Sequence, residues 1–106
     1  MSEDRVVVIT GSSSGLGAEM IKDFAARGFG VCINYIVEKD AQAVYSEVLE
    51  TTDESKAMMY KANVADRDEV RAMFDAVIDK FGRVDILVNT AGINRDAPFN
   101  ELTDEN

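Results

Sequence analysis

The fold of this chain is decided by the stretch Val6-Val7-Val8-Ile9-Thr10-Gly11-Ser12-Ser13-Ser14-Gly15-Leu16-Gly17. A short apolar run, typical of a parallel strand buried on both faces, stops at a glycine-rich turn and leads directly into an amphipathic helix. The first turn of such a helix presents free backbone N–H groups and the positive end of the helix dipole above the strand. The stretch therefore predicts a seat for a phosphate or diphosphate group.

Each glycine in this turn has a predicted purpose. Gly11 permits a tight turn, Gly15 lets the backbone approach a diphosphate, and Gly17 allows close contact between helix and strand. The hydroxyls of residues 12–14 add hydrogen-bond donors at the helix N-terminus. Because loops are generally rich in glycine, a purely structural tight turn is the alternative interpretation.

Strand-like and helix-like patterns alternate along the rest of the chain, which predicts an α/β fold. Three helices are predicted from apolar positions spaced by three and four, the first ending at Gly28 and Gly30 and the third beginning at Asp66 and ending at Gly82. Thr103 to Asn106 resemble the start of a further helix. The predicted strands cover residues 6–9, 31–33, 57–60 and 86–88, and the predicted helices cover residues 15–27, 41–49 and 66–81.

Right-handed crossovers between parallel strands favour the strand order 3-2-1-4, with the first two helices on one face of the sheet and the third on the other. This predicts a single partial Rossmann-type dinucleotide-binding domain over residues 1–106, equivalent to the N-terminal half of a doubly wound sheet. The fourth strand has no predicted neighbour on its outer side. We therefore expect self-association through this open sheet edge.

Composition excludes several other classes of function. The net charge of −9, from 11 basic and 20 acidic residues, disfavours binding to nucleic acid or to an anionic membrane. The apolar runs are too short to span a membrane, and the acidic start, residues 1–5, does not resemble a signal peptide. The single cysteine, Cys32, lies in an apolar run and is predicted to be a buried structural thiol. Together these features predict a cytoplasmic protein.

Three motifs, in order and at the expected separations, resemble those of the short-chain dehydrogenases/reductases over nearly the whole chain. Residues 10–17 match the TGxxxGxG signature, Asn63-Val64 resembles the pair that meets the adenine, and Asn89-Thr90-Ala91-Gly92 is similar to the NNAG motif. Residues 61–66 and 91–96 look most like 3-oxoacyl-carrier-protein reductases and acetoacetyl-CoA reductases.

The resemblance implies a role for each matching residue. Residues 12–16 would surround the pyrophosphate, with Ser13 contributing its hydroxyl. Asn63 would accept a hydrogen bond from the adenine amino group, although an ordinary Asx turn is the alternative, and the Val64 N–H would complete that edge. Asn89 and Ala91 would line the ribose and the approach to the nicotinamide. The predicted cofactor-binding residues are Gly11, Ser12, Ser13, Ser14, Gly15, Leu16, Gly17, Asn34, Tyr35, Asn63, Val64, Asn89, Ala91 and Gly92.

Cofactor choice depends on the end of the second strand, where sites specific for NAD place an acidic residue against the ribose 2′-hydroxyl. This chain has Asn34, Tyr35 and Ile36 at those positions, and none of them would repel a 2′-phosphate. The residues therefore favour NADP. NAD stays open, because the turn of three serines carries no arginine or lysine.

No catalytic residue and no metal ligand is predicted. The chain has no histidine, which excludes a Ser-His-Asp triad, and it has no His/Cys cluster. In the family, a Tyr-x-x-x-Lys pair assisted by Ser and Asn supplies the proton. The resemblance places these groups after residue 106, and the match of Tyr35 and Lys39 to the bare spacing is interpreted as a coincidence.

The predicted function is the NAD(P)-binding N-terminal portion of an oxidoreductase that reduces a carbonyl of the 3-oxoacyl thioester type. The 106 residues alone are predicted to be inactive. A carbonyl substrate is therefore expected only when the C-terminal half is supplied. The alternative is a non-catalytic truncated or fragment module that binds nucleotide weakly or associates through its open sheet edge.

Overall fold

A computed structural model describes residues 5–90 of the chain, which contain four strands and three α-helices in strict alternation. The predicted order of elements is confirmed over these residues, and the predicted helix start at Thr103 lies outside them. The elements are β1 (Val6–Thr10), α1 (Gly15–Ala26), β2 (Gly30–Tyr35), α2 (Glu38–Val48), a 3-10 turn (Glu54–Lys56), β3 (Ala57–Lys61), α3 (Arg67–Phe81) and β4 (Ile86–Asn89).

The four strands form one parallel sheet in the order β3-β2-β1-β4, which confirms the predicted topology. In this register Val8 lies opposite Cys32 on one side and Leu87 on the other. Every residue of β1 is buried. Because all strands run the same way, the turn after β1, the segments after β2 and β3, and Thr90 after β4 lie at one edge of the sheet, here called the carboxyl edge.

Alternate residues of the central strand face two separate cores, as expected for a sheet covered on both sides. Val7 and Ile9 pack in a core with residues of α1 and α2, whereas Val6 and Val8 pack with Met73 of α3. The prediction that the first two helices share one face and the third covers the other is therefore confirmed. No described helix combines the length and apolarity that crossing a bilayer would require.

The outer edge of β4 has no described strand beside it, since β4 pairs only with β1 within residues 5–90. Leu87, whose register partner Val8 belongs to the α3-side core, is 50% exposed because a single described helix covers that face. This agrees with the predicted half-sheet. Self-association through the edge stays a prediction.

The structure differs from the predictions at one element boundary and in the burial of two apolar side chains. Gly30 was expected to help end α1, but it is the first residue of β2. Leu16 and Ile78 belong to the predicted apolar stripes of α1 and α3, yet they are 56% and 47% exposed. A stripe marks which residues can pack, whereas the sheet area beneath the helix decides which of them do.

Asp66 and Glu69, three residues apart, predict an Asp variant of the capping box at the start of α3, and the structure forms half of it. Asp66 caps the helix through the N–H groups of Asp68 and Glu69, at 2.9 and 3.3 Å. The Glu69 carboxylate does not return to the Asp66 N–H and accepts from the Asn63 N–H instead, at 2.8 Å. Glu69 thereby connects the first turn of α3 to the segment that follows β3.

Candidate functional site

The glycine turn leaves the N-terminus of α1 open at the carboxyl edge. Gly11 and Gly15 have φ angles of 66° and 59°, a left-handed backbone that favours glycine. Ser14 is the N-cap residue, but its side chain caps no N–H group, and the first turn of α1 holds no acidic residue. A Cβ at Gly15 would meet no heavy atom within 4 Å. The N–H groups at the start of α1 can therefore receive an anion without a side chain in the way.

Gly17 performs the predicted packing role. A Cβ there would lie 2.6 Å from the Gly11 carbonyl oxygen, 2.9 Å from Ser12 Cα and 3.0 Å from Thr90 Oγ1. The helix thus approaches both its own turn and the end of β4 more closely than any side chain allows. Glycine at this position fixes where the N-terminus of α1 sits.

The three serines, treated alike in the sequence analysis, have different surroundings. Ser12 is fully buried, and its hydroxyl donates to the Ile9 carbonyl at 2.6 Å and accepts from the Asn34 N–H at 3.0 Å. Its proton is therefore given to the protein and is not offered to a ligand, which differs from the predicted donor role of this hydroxyl. Ser13 is half-buried and Ser14 is exposed, so these two hydroxyls remain the predicted donors.

Asn34 faces the protein interior at the end of β2. Its side chain is 3% exposed, and its Oδ1 accepts from the Gly11 N–H at 2.9 Å while its Nδ2 donates to the Ala62 carbonyl at 3.0 Å. Sequence reasoning placed Asn34 at the cofactor but missed this link. Tyr35 is half-buried and Ile36 is 56% exposed, so of the three positions these two are open to a ligand.

The segment after β3 forms the Asx turn that was the alternative for Asn63. The Asn63 Oδ1 accepts from the Ala65 N–H at 2.9 Å, and the Asn63 carbonyl accepts from the Asp66 N–H at 2.9 Å. An amide oxygen has two lone pairs, so one remains for the predicted contact with adenine. Val64 beside it is 38% exposed. The adenine role of both residues stays a prediction.

The end of β4 is joined to the end of β1 by side chains. The Thr10 hydroxyl donates to Asn89 Oδ1 at 2.7 Å and accepts from the Thr90 N–H at 3.1 Å, and the Thr90 hydroxyl donates to the Thr10 carbonyl. Thr90 thus bonds the end of β4 to the end of β1 at the position where the family motif carries asparagine. Ala91 and Gly92, also predicted to bind cofactor, lie outside the described residues.

The described residues offer no acid–base or metal centre beside this turn. No group of three or more metal-binding side chains occurs within residues 5–90. Burial raises the pKa of the Cys32 thiol to about 12, so it is not a nucleophile. Tyr35 and Lys39 lie in different elements, the end of β2 and the first turn of α2. The feature of this edge that suits a ligand is the uncapped N-terminus of α1.

Comparison with known proteins agrees with this geometry. A family model described as short chain dehydrogenase matches residues 5–106. The chain belongs to the short-chain dehydrogenase family. The assignment of its glycine turn and of the predicted adenine and NNAG-like segments to cofactor binding stays a prediction.

Relatives within the short-chain dehydrogenase family are considerably longer than this chain. It is 41% identical over 97 residues to the 3-oxoacyl-[acyl-carrier-protein] reductase FabG of Staphylococcus aureus, which covers 91% of this chain and 39% of the relative. The chain thus spans about two fifths of the length of such relatives.

Solved structures share the fold. A short chain dehydrogenase from Bacillus anthracis superposes with a TM-score of 0.79 at 30% identity, covering 84% of this chain and 35% of the other. A point variant of actinorhodin polyketide ketoreductase, crystallised with NADPH, gives a TM-score of 0.76 at 27% identity, covering 85% and 34%.

Proposed function

We propose that this chain is the NADP-binding portion of a reductase that acts on the carbonyl of a 3-oxoacyl thioester. The observation that carries the proposal is the open N-terminus of α1, where Gly15 leaves free space and Ser14 does not cap the helix. The named activity of the Staphylococcus aureus relative supports the substrate class. The NADPH bound to the structurally similar ketoreductase supports the cofactor.

The described residues fit a dinucleotide laid along the carboxyl edge. The N–H groups at the start of α1 and the hydroxyls of Ser13 and Ser14 would bind the pyrophosphate, while Asn63 and Val64 would meet the adenine. Asn89, held by Thr10, would lie beside the ribose of the nicotinamide half. When bound, the reduced cofactor supplies the hydride, and this chain supplies its binding and orientation.

NADP is preferred over NAD because the end of β2 places no carboxylate where the 2′-phosphate would lie. Carboxylates begin only at Glu38, in the first turn of α2, and its side chain accepts a hydrogen bond from Gln42 at 3.0 Å. Tyr35 and Ile36 are the open side chains at this point. We expect NADPH to bind more tightly than NADH.

Reduction also requires a proton donor, and the 106 residues contain no Tyr-x-x-x-Lys pair at the nicotinamide end of the site. We therefore propose that the catalytic groups belong to a part of the protein beyond these residues. We also propose, as a separate point, that the protein is cytoplasmic. Incubation of the 106-residue chain with NADPH and a 3-oxoacyl thioester should give no turnover. Clear oxidation of NADPH would contradict the proposal.

Cofactor binding is tested by comparing two glycine variants by isothermal titration with NADPH. Gly15→Ala and Gly82→Ala both place a side chain on a left-handed backbone with open space around it, since φ is 59° and 83°. Both should lose about 1–2 kcal/mol of stability, but only Gly15→Ala narrows the phosphate seat. We expect an affinity loss of about tenfold or more for Gly15→Ala and unchanged affinity for Gly82→Ala. Equal affinities would refute the assignment.

The second candidate function is a non-catalytic module that associates through the outer edge of β4. The half-exposed Leu87 and the lack of a described strand beside β4 favour it. Sedimentation velocity should then show a dimer or larger species, which Leu87→Lys should shift toward monomer. A monomer at all concentrations would eliminate this candidate, whereas NADPH binding by a monomer would favour the first.

A further inference from the structure

We propose that Asn34 is a positioning residue that sets the spacing between the glycine turn and the loop after β3, and through this spacing the affinity for the dinucleotide. The proposal rests on the dinucleotide-binding function proposed above. It assigns Asn34 an action through other residues, because its amide group is buried and directed into the protein.

Asn34 holds the glycine turn by three hydrogen bonds. Its Oδ1 accepts from the Gly11 N–H at 2.9 Å, its backbone N–H donates to Ser12 Oγ at 3.0 Å, and its carbonyl accepts from the Ser12 N–H at 3.2 Å. Ser12 Oγ in turn donates to the Ile9 carbonyl. The first two residues of the turn are thereby tied to the end of β2.

The same side chain holds the other half of the site. Its Nδ2 donates to the carbonyl of Ala62, which is buried and immediately precedes Asn63 and Val64. Within residues 5–90, no hydrogen bond joins the glycine turn directly to the loop after β3. Asn34 bonds to both, so one planar amide group spans the gap between the predicted pyrophosphate and adenine contacts.

The position therefore requires an acceptor toward Gly11 and a donor toward Ala62 at the same time. A neutral amide meets both requirements, and so does a protonated carboxyl group, which has one O–H donor and one free acceptor oxygen. A carboxylate has no donor, so it would leave the Ala62 carbonyl without its partner and facing a like-charged oxygen. Burial raises the pKa of a carboxyl group, which brings its protonation toward accessible pH.

Asn34→Asp tests the proposal through this difference. At pH 7.5 we expect its Kd for NADPH to rise about tenfold relative to the unchanged chain. Near pH 5, protonation of the new carboxyl should return the ratio of the two Kd values to within about twofold. The chain has no histidine, so no other side chain has an ordinary pKa between these pH values.

Val77→Ala is the matched control, because Val77 is fully buried in the α3-side core and lies outside the site. It should lower stability without changing the Kd for NADPH at either pH. The proposal is overturned if Asn34→Asp binds NADPH normally at pH 7.5, if its defect is the same at pH 5, or if Val77→Ala loses as much affinity.

Amide hydrogen exchange without nucleotide separates this proposal from the proposed function. At pH 7.5, Asn34→Asp should reduce protection in residues 63–65, which follow the unpaired Ala62 carbonyl, while the Gly11 N–H keeps an acceptor and its protection; protection in residues 63–65 should return near pH 5. If the unchanged chain bound no dinucleotide but this pattern appeared, the proposed function would fail and the positioning role would stand as a structural one. If Asn34→Asp were unfolded at pH 7.5, Ser12→Ala would replace it, because it removes the hydroxyl's bonds to the Ile9 carbonyl and from the Asn34 N–H. It should reduce protection at Gly11, and unchanged protection would overturn the proposal.

Discussion

The close approach of α1 to its own turn makes Gly17→Ala the most informative single substitution. The new Cβ would lie 2.6 Å from the Gly11 carbonyl oxygen and 2.9 Å from Ser12 Cα. Both are backbone atoms in the turn, and Ser12 is also held by Ile9 and Asn34. The overlap therefore has no flexible side chain to absorb it, and α1 must move as a unit.

The expected loss of stability is the difference between two terms. Overpacking of this kind costs typically about 1–3 kcal/mol, and contacts with fixed backbone place it near the upper end. Alanine in place of glycine returns up to about 1 kcal/mol of helix propensity. The net loss is about 2 kcal/mol, which corresponds to a roughly 30-fold change in the unfolding equilibrium constant and a fall in Tm of about 10 °C.

Urea unfolding followed by circular dichroism, without nucleotide, measures this loss directly. Gly30→Ala is the control, because its Cβ would meet the side chains of Phe81 at 3.1 Å and Val6 at 3.3 Å, and the half-buried ring can shift. We expect the control to stay within about 1 kcal/mol of the unchanged chain. Equal stability of Gly17→Ala and the unchanged chain would show that the turn yields, and would refute the rigid contact inferred here.

Two further predictions concern titratable groups. Burial raises the pKa of the Cys32 thiol from 9.0 to about 12, so the folded state holds this proton more tightly than the unfolded state. Relative to Cys32→Ala, the free energy of unfolding should therefore fall as pH rises from about 9 toward 12. Ellman's reagent at pH 8 should react with the thiol only after unfolding. The hydrogen bond from Arg83 lowers the pKa of Asp85 below 3.8, and the hydrogen bond from the Val6 N–H adds a smaller lowering. The ionised carboxylate therefore stabilises the folded state above pH 3.8, and this contribution is lost as pH falls through the lowered pKa. Asp85→Asn should be less stable than the unchanged chain at pH 7, with the difference closing in acid; a difference independent of pH would contradict this cause.

Sequence patterns predicted those parts of the molecule that depend on a residue's own neighbours along the chain. Alternation of apolar runs with helical stripes predicted the element order and the 3-2-1-4 sheet. The Asp66 cap and the end of α3 at Gly82 were also predicted, because each depends on a few consecutive residues. The exposure of Ile78 could not be predicted from the sequence, because it depends on how much of the sheet lies beneath α3.

The candidate site shows the same division. The positions of the glycines in the turn were evident from the sequence, and Gly17 packs as predicted. The separation of Ser12 from Ser13 and Ser14 was not evident, because three identical side chains in a row carry no information about which one points inward. Only the partners on β1 and β2 distinguish them.

By itself, the sequence determined the alternation of elements, the parallel half-sheet and the place of the glycine turn, because strand and helix periods and glycine's backbone freedom are properties of short segments. The tertiary structure alone decided that Asn34 joins Gly11 to Ala62 and that Thr90 joins β4 to β1. These hydrogen bonds connect residues 23, 28 and 80 positions apart. Such pairs meet only in the folded sheet, and no pattern within a short segment shows which side chains will face each other there.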